Sequence, residues 1–126
     1  MSASTPAKIT AQMVSVWRDD ALAGVALAEG DDSSGWNLVF ERAFAFTDAE
    51  RKAGQDTYCI TNESGVAVYG GVTGWAINGA ELKLAVDDRT SGALGLPNDL
   101  TVALACPPAA IKELSAALTE ILAPKG

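Results

Sequence analysis

Asn78-Gly79 stands between two runs whose apolar and polar residues alternate, GGVTGWAI before it and ELKLAVD after it. No other stretch constrains the fold as tightly, because the tightest hairpin turn needs positive φ at both central positions and Asn-Gly supplies them. The pair predicts a β-hairpin turning at 78 and 79, with Trp75 opposite Leu82 and Thr73 opposite Leu84. Glu81, Lys83 and Asp87 then fall on the other face, and the alternation agrees with that register.

Further strands are predicted on the same grounds. Short apolar runs at 13–17 and 22–28 are joined by Arg18-Asp19-Asp20, a polar trio that reads as a hairpin connection. The next connection, EGDDSSG at 29–35, has turn chemistry throughout, and Trp36 opens a third run. Leu38, Phe40, Phe44 and Phe46 share one parity there and Asn37 and Glu41 the other, the pattern of a half-buried strand. Arg42 has the parity of the phenylalanines; a bulge, a snorkelling stem or a pairing with a carboxylate such as Asp56 would each accommodate it.

TDAERKAG, 47–54, predicts a single helical turn or a polar loop. Residues 56–62 and 66–77 predict two strands around NESG, and 100–105 one more; the polar stretch DDRTSGALGLPND has room for one short helix. In PPAAIKELSAALTEILAP, Ile111, Leu114, Leu118, Ile121 and Leu122 recur at helical spacing behind two prolines, which predicts an amphipathic helix. Strands followed by one helix make the class α+β: a mainly antiparallel sheet with the C-terminal helix packed on it.

Residues 1–10, small and polar with one lysine, read as a flexible tail without a secretory signal, and 11–126 as a single domain. No apolar run approaches the roughly 20 residues that cross a bilayer. Cys59 and Cys106 stand alone and far apart, which suggests neither a disulfide framework nor a paired-cysteine metal site and fits the cytoplasm. The chain has no histidine, so the commonest general base and transition-metal ligand are both missing. A net charge of −7 with scattered basic residues argues against direct nucleic-acid binding.

Asp56-Thr57-Tyr58-Cys59 places four reactive or hydrogen-bonding side chains in a row. On a strand, Cys59 would share a face with Thr57 and Thr61 and lie opposite Val68 or Gly70, as a small core residue. Tyr58 and Tyr69 would meet across the hairpin, and a sheet face bearing tyrosines also suits a protein partner or a second copy. Asp56 would cap a turn. Gly70, Gly71 and Gly74 lie within a strand and suit a bulge or tight curvature better than a phosphate loop. The acidic groups lack the spacing of a calcium loop, and no cofactor or metal is expected. Asp19, Asp20, Asp31, Asp32, Asp87, Asp88 and the neighbouring Trp36 instead suit a surface that meets a basic protein partner.

The ordered series DTYC, YGGV and LGLP, within RAFAFTDAERKAGQDTYCITNESGVAVYGGVTGWAINGAELKLAV and ALGLPNDLTVAL, resembles the immunity protein 10 family of bacterial polymorphic toxin systems. The resemblance covers residues 38–105. Arg42, Phe46, Asp48, Asp56, Thr57, Tyr58, Cys59, Tyr69, Gly70, Gly71, Val72, Leu94, Gly95 and Pro97 fall where the family pattern expects them. Gln55 departs from it, an apolar residue being usual there. The resemblance implies a small, mainly β protein that binds a cognate toxin domain, often a nuclease, and blocks it without catalysis. It also implies that the motif residues are scaffold. The opposing expectation is an enzyme or redox protein using Cys59, with Tyr58 and Asp56 assisting.

Overall fold

The computed structural model describes residues 7–30 and 35–123. In chain order these form β1 (Lys8–Ala11), β2 (Met13–Arg18), β3 (Leu22–Ala28), β4 (Asn37–Ala43), α1 (Asp48–Lys52), β5 (Cys59–Asn62) and β6 (Ala67–Tyr69). There follow β7 (Val72–Asn78), β8 (Glu81–Val86), α2 (Asp88–Leu94), β9 (Asp99–Leu104) and α3 (Pro108–Ile121). The class is α+β, as expected. The strands divide into two sheets, β1-β9-β8-β7 and β2-β3-β4-β5-β6, antiparallel at every pairing except β1 with β9.

The chain changes sheet at both flanks. Between β1 and β2 the bend falls at Gln12, whose amide donates to the Ala28 carbonyl at 3.0 Å. Between β6 and β7 it falls at Gly70-Gly71, with φ of 74° and 101°. Corners of this kind let a strand leave one layer and continue in the facing one. Residues 66–77, expected as one strand, are therefore two short strands in different sheets. Lys8, Ile9 and Thr10, expected within a flexible tail, instead pair with Thr101, Val102 and Ala103; residues 1–6 lie outside those described.

Several registers differ from the alternation reading, each for a local reason. Asn78 pairs with Glu81, so Gly79 (φ 58°) and Ala80 make the turn, and Trp75 faces Leu84. From Gly74 onward this register keeps the same residues on the same face as the expected one, so alternation could not tell them apart, whereas a bulge between Val72 and Gly74 sets Val72 opposite Val86 and takes Thr73 away from Leu84. Cys59 faces Tyr69, not Val68 or Gly70. Asn62 explains this: its side-chain oxygen accepts from Ser64 and Val66 amides, closing a three-residue loop with Gly65 at φ 79°. An odd loop inverts the parity of the returning strand. Finally β4 ends at Ala43, so Phe44 is 40% exposed and does not extend the buried stripe of Leu38 and Phe40.

The core lies between the sheets. Val25, Leu27, Leu38, Phe40, Ile60 and Val68 from the five-stranded sheet meet Ile9, Leu82, Leu84, Leu100 and Val102 from the four-stranded one. Leu114, Leu118 and Ile121 of α3 join the same cluster, and α3 lies against β3, β2 and β4. Arg18 and Arg42 place that contact on the inner side of the five-stranded sheet. Arg18 bonds Glu120 of α3, and Arg42 reaches the carbonyls at the end of α3. Among the described residues no helix is long and apolar enough to cross a membrane.

Candidate interaction surface

Among the described residues, α3 and the four-stranded sheet cover the inner face of the five-stranded sheet, while Phe46 and Glu50 approach the outer face beside Leu22 and Glu41. On the outer face the four strand pairings place Trp17, Gly24, Glu41, Cys59 and Tyr69 side by side in one rung across all five strands. The next rung is Ser15, Ala26, Val39, Thr61 and Ala67. Glu41 is the one charged residue in the two rungs, and it belongs to none of the ion pairs among the described residues. The Trp17 indole lies across Gly24, where a Cβ would run into the ring. Glycine there lets an aromatic plane settle flat on the sheet beside the Glu41 strand.

Toward the end of β4 the face dips into a shallow recess of about 160 Å³, whose lining includes Glu41, Phe46, Glu50, Thr57, Cys59 and Tyr69. Two carboxylates and two aromatic rings thus share one hollow. Glu50 is also held in the α1 capping box, accepting from the Thr47 amide at 2.8 Å. Cys59 is half-buried on this outer face and is not the core residue expected; its Sγ lies 3.8 Å from Thr61 Oγ1.

The two tyrosines, expected to meet, point to opposite faces. Tyr69 is 38% exposed on the outer face, whereas Tyr58 is 7% exposed in the core and its hydroxyl accepts the Val72 amide at 2.9 Å. That bond ties the first residue of β7 to the residue just before β5, in the sheet the chain has left. Gly70 donates to the Tyr58 carbonyl and Asp87 to the Gly71 carbonyl, at 3.0 and 2.9 Å. Arg89 holds the Tyr69 carbonyl at 3.0 Å. DTYC and YGGV are therefore two halves of one corner, and burial pushes the Tyr58 hydroxyl pKa up, the main cause being loss of water around the phenolate.

LGLP ends a helix. Gly95 caps α2 in the left-handed region (φ 70°), Leu94 and Leu96 enter the core, and Pro97 follows. Arg42, whose parity was the anomaly of the third run, sends Nη1 to the carbonyls of Ile121 and Ala123 at 3.2 and 2.6 Å. It caps α3 with a positive charge where the helix dipole is negative. Asp56 is half-buried in the bend before β5, which begins at Cys59 and not at 56.

The acidic candidates do not form one patch. Asp19 accepts from the Ala21 and Leu22 amides at 2.7 and 3.0 Å, which hold its carboxyl below the usual range; it shapes the β2–β3 turn, while Asp20 is exposed. Asp87 caps α2 through the Thr90 amide, which likewise lowers its pKa, and Asp88 accepts from Asn98. Trp36 lies at the opposite end of the sheet, lining a hollow with Ile9, Gln12 and Glu29. Asp31 and Asp32 lie outside the described residues. Among those described, no cluster of Cys, Asp or Glu could hold a metal ion.

Residues 10–112 match the family described as Immunity protein 10. The chain belongs to that family. No curated protein matches it. As an Immunity protein 10 member its motif words acquire a structural sense here: they build the sheet corner and the α2 cap, and Arg42 builds the α3 cap. Sequence reasoning missed the rung through Glu41. Its one visible trace is β3, LAGVALA, apolar or glycine at both parities although only one of its faces meets the core.

Proposed function

We propose that this chain is an antitoxin-like inhibitor that binds a cognate toxin domain, a nuclease with a basic substrate-holding surface, and blocks it by occlusion in the cytoplasm. The observation that carries this reading is the family match across residues 10–112. Charge supports it: a net −7 favours encounter with a basic domain and disfavours nucleic acid as the direct ligand. Asp20, Asp31, Asp32, Asp88 and Trp36 supply contacts or steering around the sheet, and Asp19 and Asp87 add their charge while holding a turn and a helix.

Binding, and not catalysis, is the activity on this reading. Cys59 lies between Glu41 and Tyr69 on a sheet face, and the chain has no histidine to take its proton. The test is immobilisation of this protein at low salt, capture of the toxin domain, and assay of that domain's activity with and without the inhibitor. Cys59→Ser should neutralise as well as the native chain within a few fold. Loss of neutralisation with binding intact would move the assignment to thiol chemistry.

A further inference from the structure

Strand β3 poses a packing question: both of its faces are apolar, yet among the described residues α3 and the four-stranded sheet cover only the inner one. An antiparallel sheet with one wet face ordinarily alternates apolar and polar residues, and contiguous exposed apolar surface marks an interaction site. Here the outer face carries exposed Met13 and Tyr69 and half-buried Trp17, Leu22 and Val39 with small residues between them, and Glu41 at the centre of the Trp17-to-Tyr69 rung.

Resting on the toxin-binding reading, we propose that this outer face is the docking surface and that Glu41 receives a lysine or arginine side chain of the toxin domain. Charge decides the occupant. Among the described residues the ion pairs are Lys8 with Glu81, Arg18 with Glu120 and Arg51 with Asp48, so neither Glu41 nor Glu50 is paired within the chain. Glu41 and Glu50 thus line, without an ion-pair partner among the described residues, a hollow that also holds Phe46 and Tyr69, which suits a cation that stacks on aromatic faces. A second copy of this chain fits badly, because it would bring carboxylate-bearing faces and a net charge of −7 together.

Size agrees with a heterologous interface that uses the rim as well. The five strands hold 27 residues, which at about 3.3 Å rise and about 4.8 Å spacing present roughly 430 Å² in plan. A stable complex buries about 800 Å² on each partner, so the Asp19-Asp20 turn and α1 would supply much of the rest.

The experiment uses the cognate toxin domain, inactivated in its own active site, and titrates it calorimetrically against the native protein, Glu41→Gln and Glu41→Arg. Lys83→Glu, on the outer face of the four-stranded sheet, is the control. Glu41→Gln should weaken binding 10- to 100-fold and Glu41→Arg more than 100-fold, with Lys83→Glu within threefold. Carbodiimide labelling of the native complex gives a readout that needs no variant: Glu41 should be shielded and Glu113 on α3 should not. Unchanged affinity for Glu41→Arg, or full labelling of Glu41 in the complex, would overturn the surface while leaving the immunity reading standing. Absence of both binding and neutralisation by the native protein would overturn the two together. A native dimer that Glu41→Arg dissociates would assign the face to a second copy and overturn the proposal.

Discussion

Tyr58 does at one position what the sheet corner needs at several. Its ring fills the core and its hydroxyl satisfies the Val72 amide just beyond Gly70-Gly71. Tyr58→Phe should cost about 1.5 kcal/mol, since it leaves a buried donor without its acceptor; denaturant unfolding at neutral pH measures this. The raised pKa has a definite sign. Folding favours the neutral phenol, so its contribution is complete below about pH 10, the unfolded value, and is lost as pH rises through the folded one. The native protein should therefore lose stability in alkali more steeply than Tyr58→Phe. Next to it, a Cβ at Gly71 would run into Thr90 Oγ1, whereas one at Gly70 has 3.8 Å to Thr57. Gly71→Ala should accordingly cost about 3 kcal/mol or more, and Gly70→Ala about 1 kcal/mol from positive φ alone. These positions were only partly legible in the sequence. The glycines announced curvature, but the partner that makes Gly71 irreplaceable lies 19 residues away on a short helix.

At the scale of elements, the caps decide where each helix stops and starts. Asp87→Ala should lower stability by about 1 kcal/mol at pH 7. Because the Thr90 amide depresses the Asp87 pKa, the stabilisation holds above the unfolded carboxyl pKa near 4 and disappears as pH falls through the folded value. The difference between the native protein and Asp87→Ala should thus close in acid, as thermal melts at pH 7 and below pH 3 would show. Arg42→Met should fray the end of α3, raising amide hydrogen exchange at 120–122, because two terminal carbonyls lose a charged donor. The β7–β8 hairpin, though not the exact position of its turn, and the helix at 108–121 could be read from the chain because each is specified within its own segment, by turn chemistry or by 3.6-residue spacing. The two-sheet division could not. Nothing in 66–77 distinguishes a curved strand from one that changes layer, and the rung through Glu41 depends on four pairings at once, one of which turned on a three-residue loop.

For the whole molecule, the distribution of charge separates steering from holding. The outer face of the five-stranded sheet is apolar around one carboxylate, while Asp19 and Asp20 lie at one end of it and Glu29 and Trp36 at the other. An interface of apolar centre and charged rim divides its kinetics in the same way. Rim charges mainly speed encounter, and the centre mainly sets residence time. Replacing Asp19, Asp20, Asp31 and Asp32 together by asparagine keeps a side-chain acceptor at each position, so the Asp19 turn persists while four charges vanish. Association with a basic toxin domain should then slow about tenfold at low salt and depend less on ionic strength, with dissociation nearly unchanged. Stopped-flow measurements between low and physiological salt would resolve the two rates. Unchanged association would remove these loops from the encounter surface, and faster dissociation would place them within the contact itself.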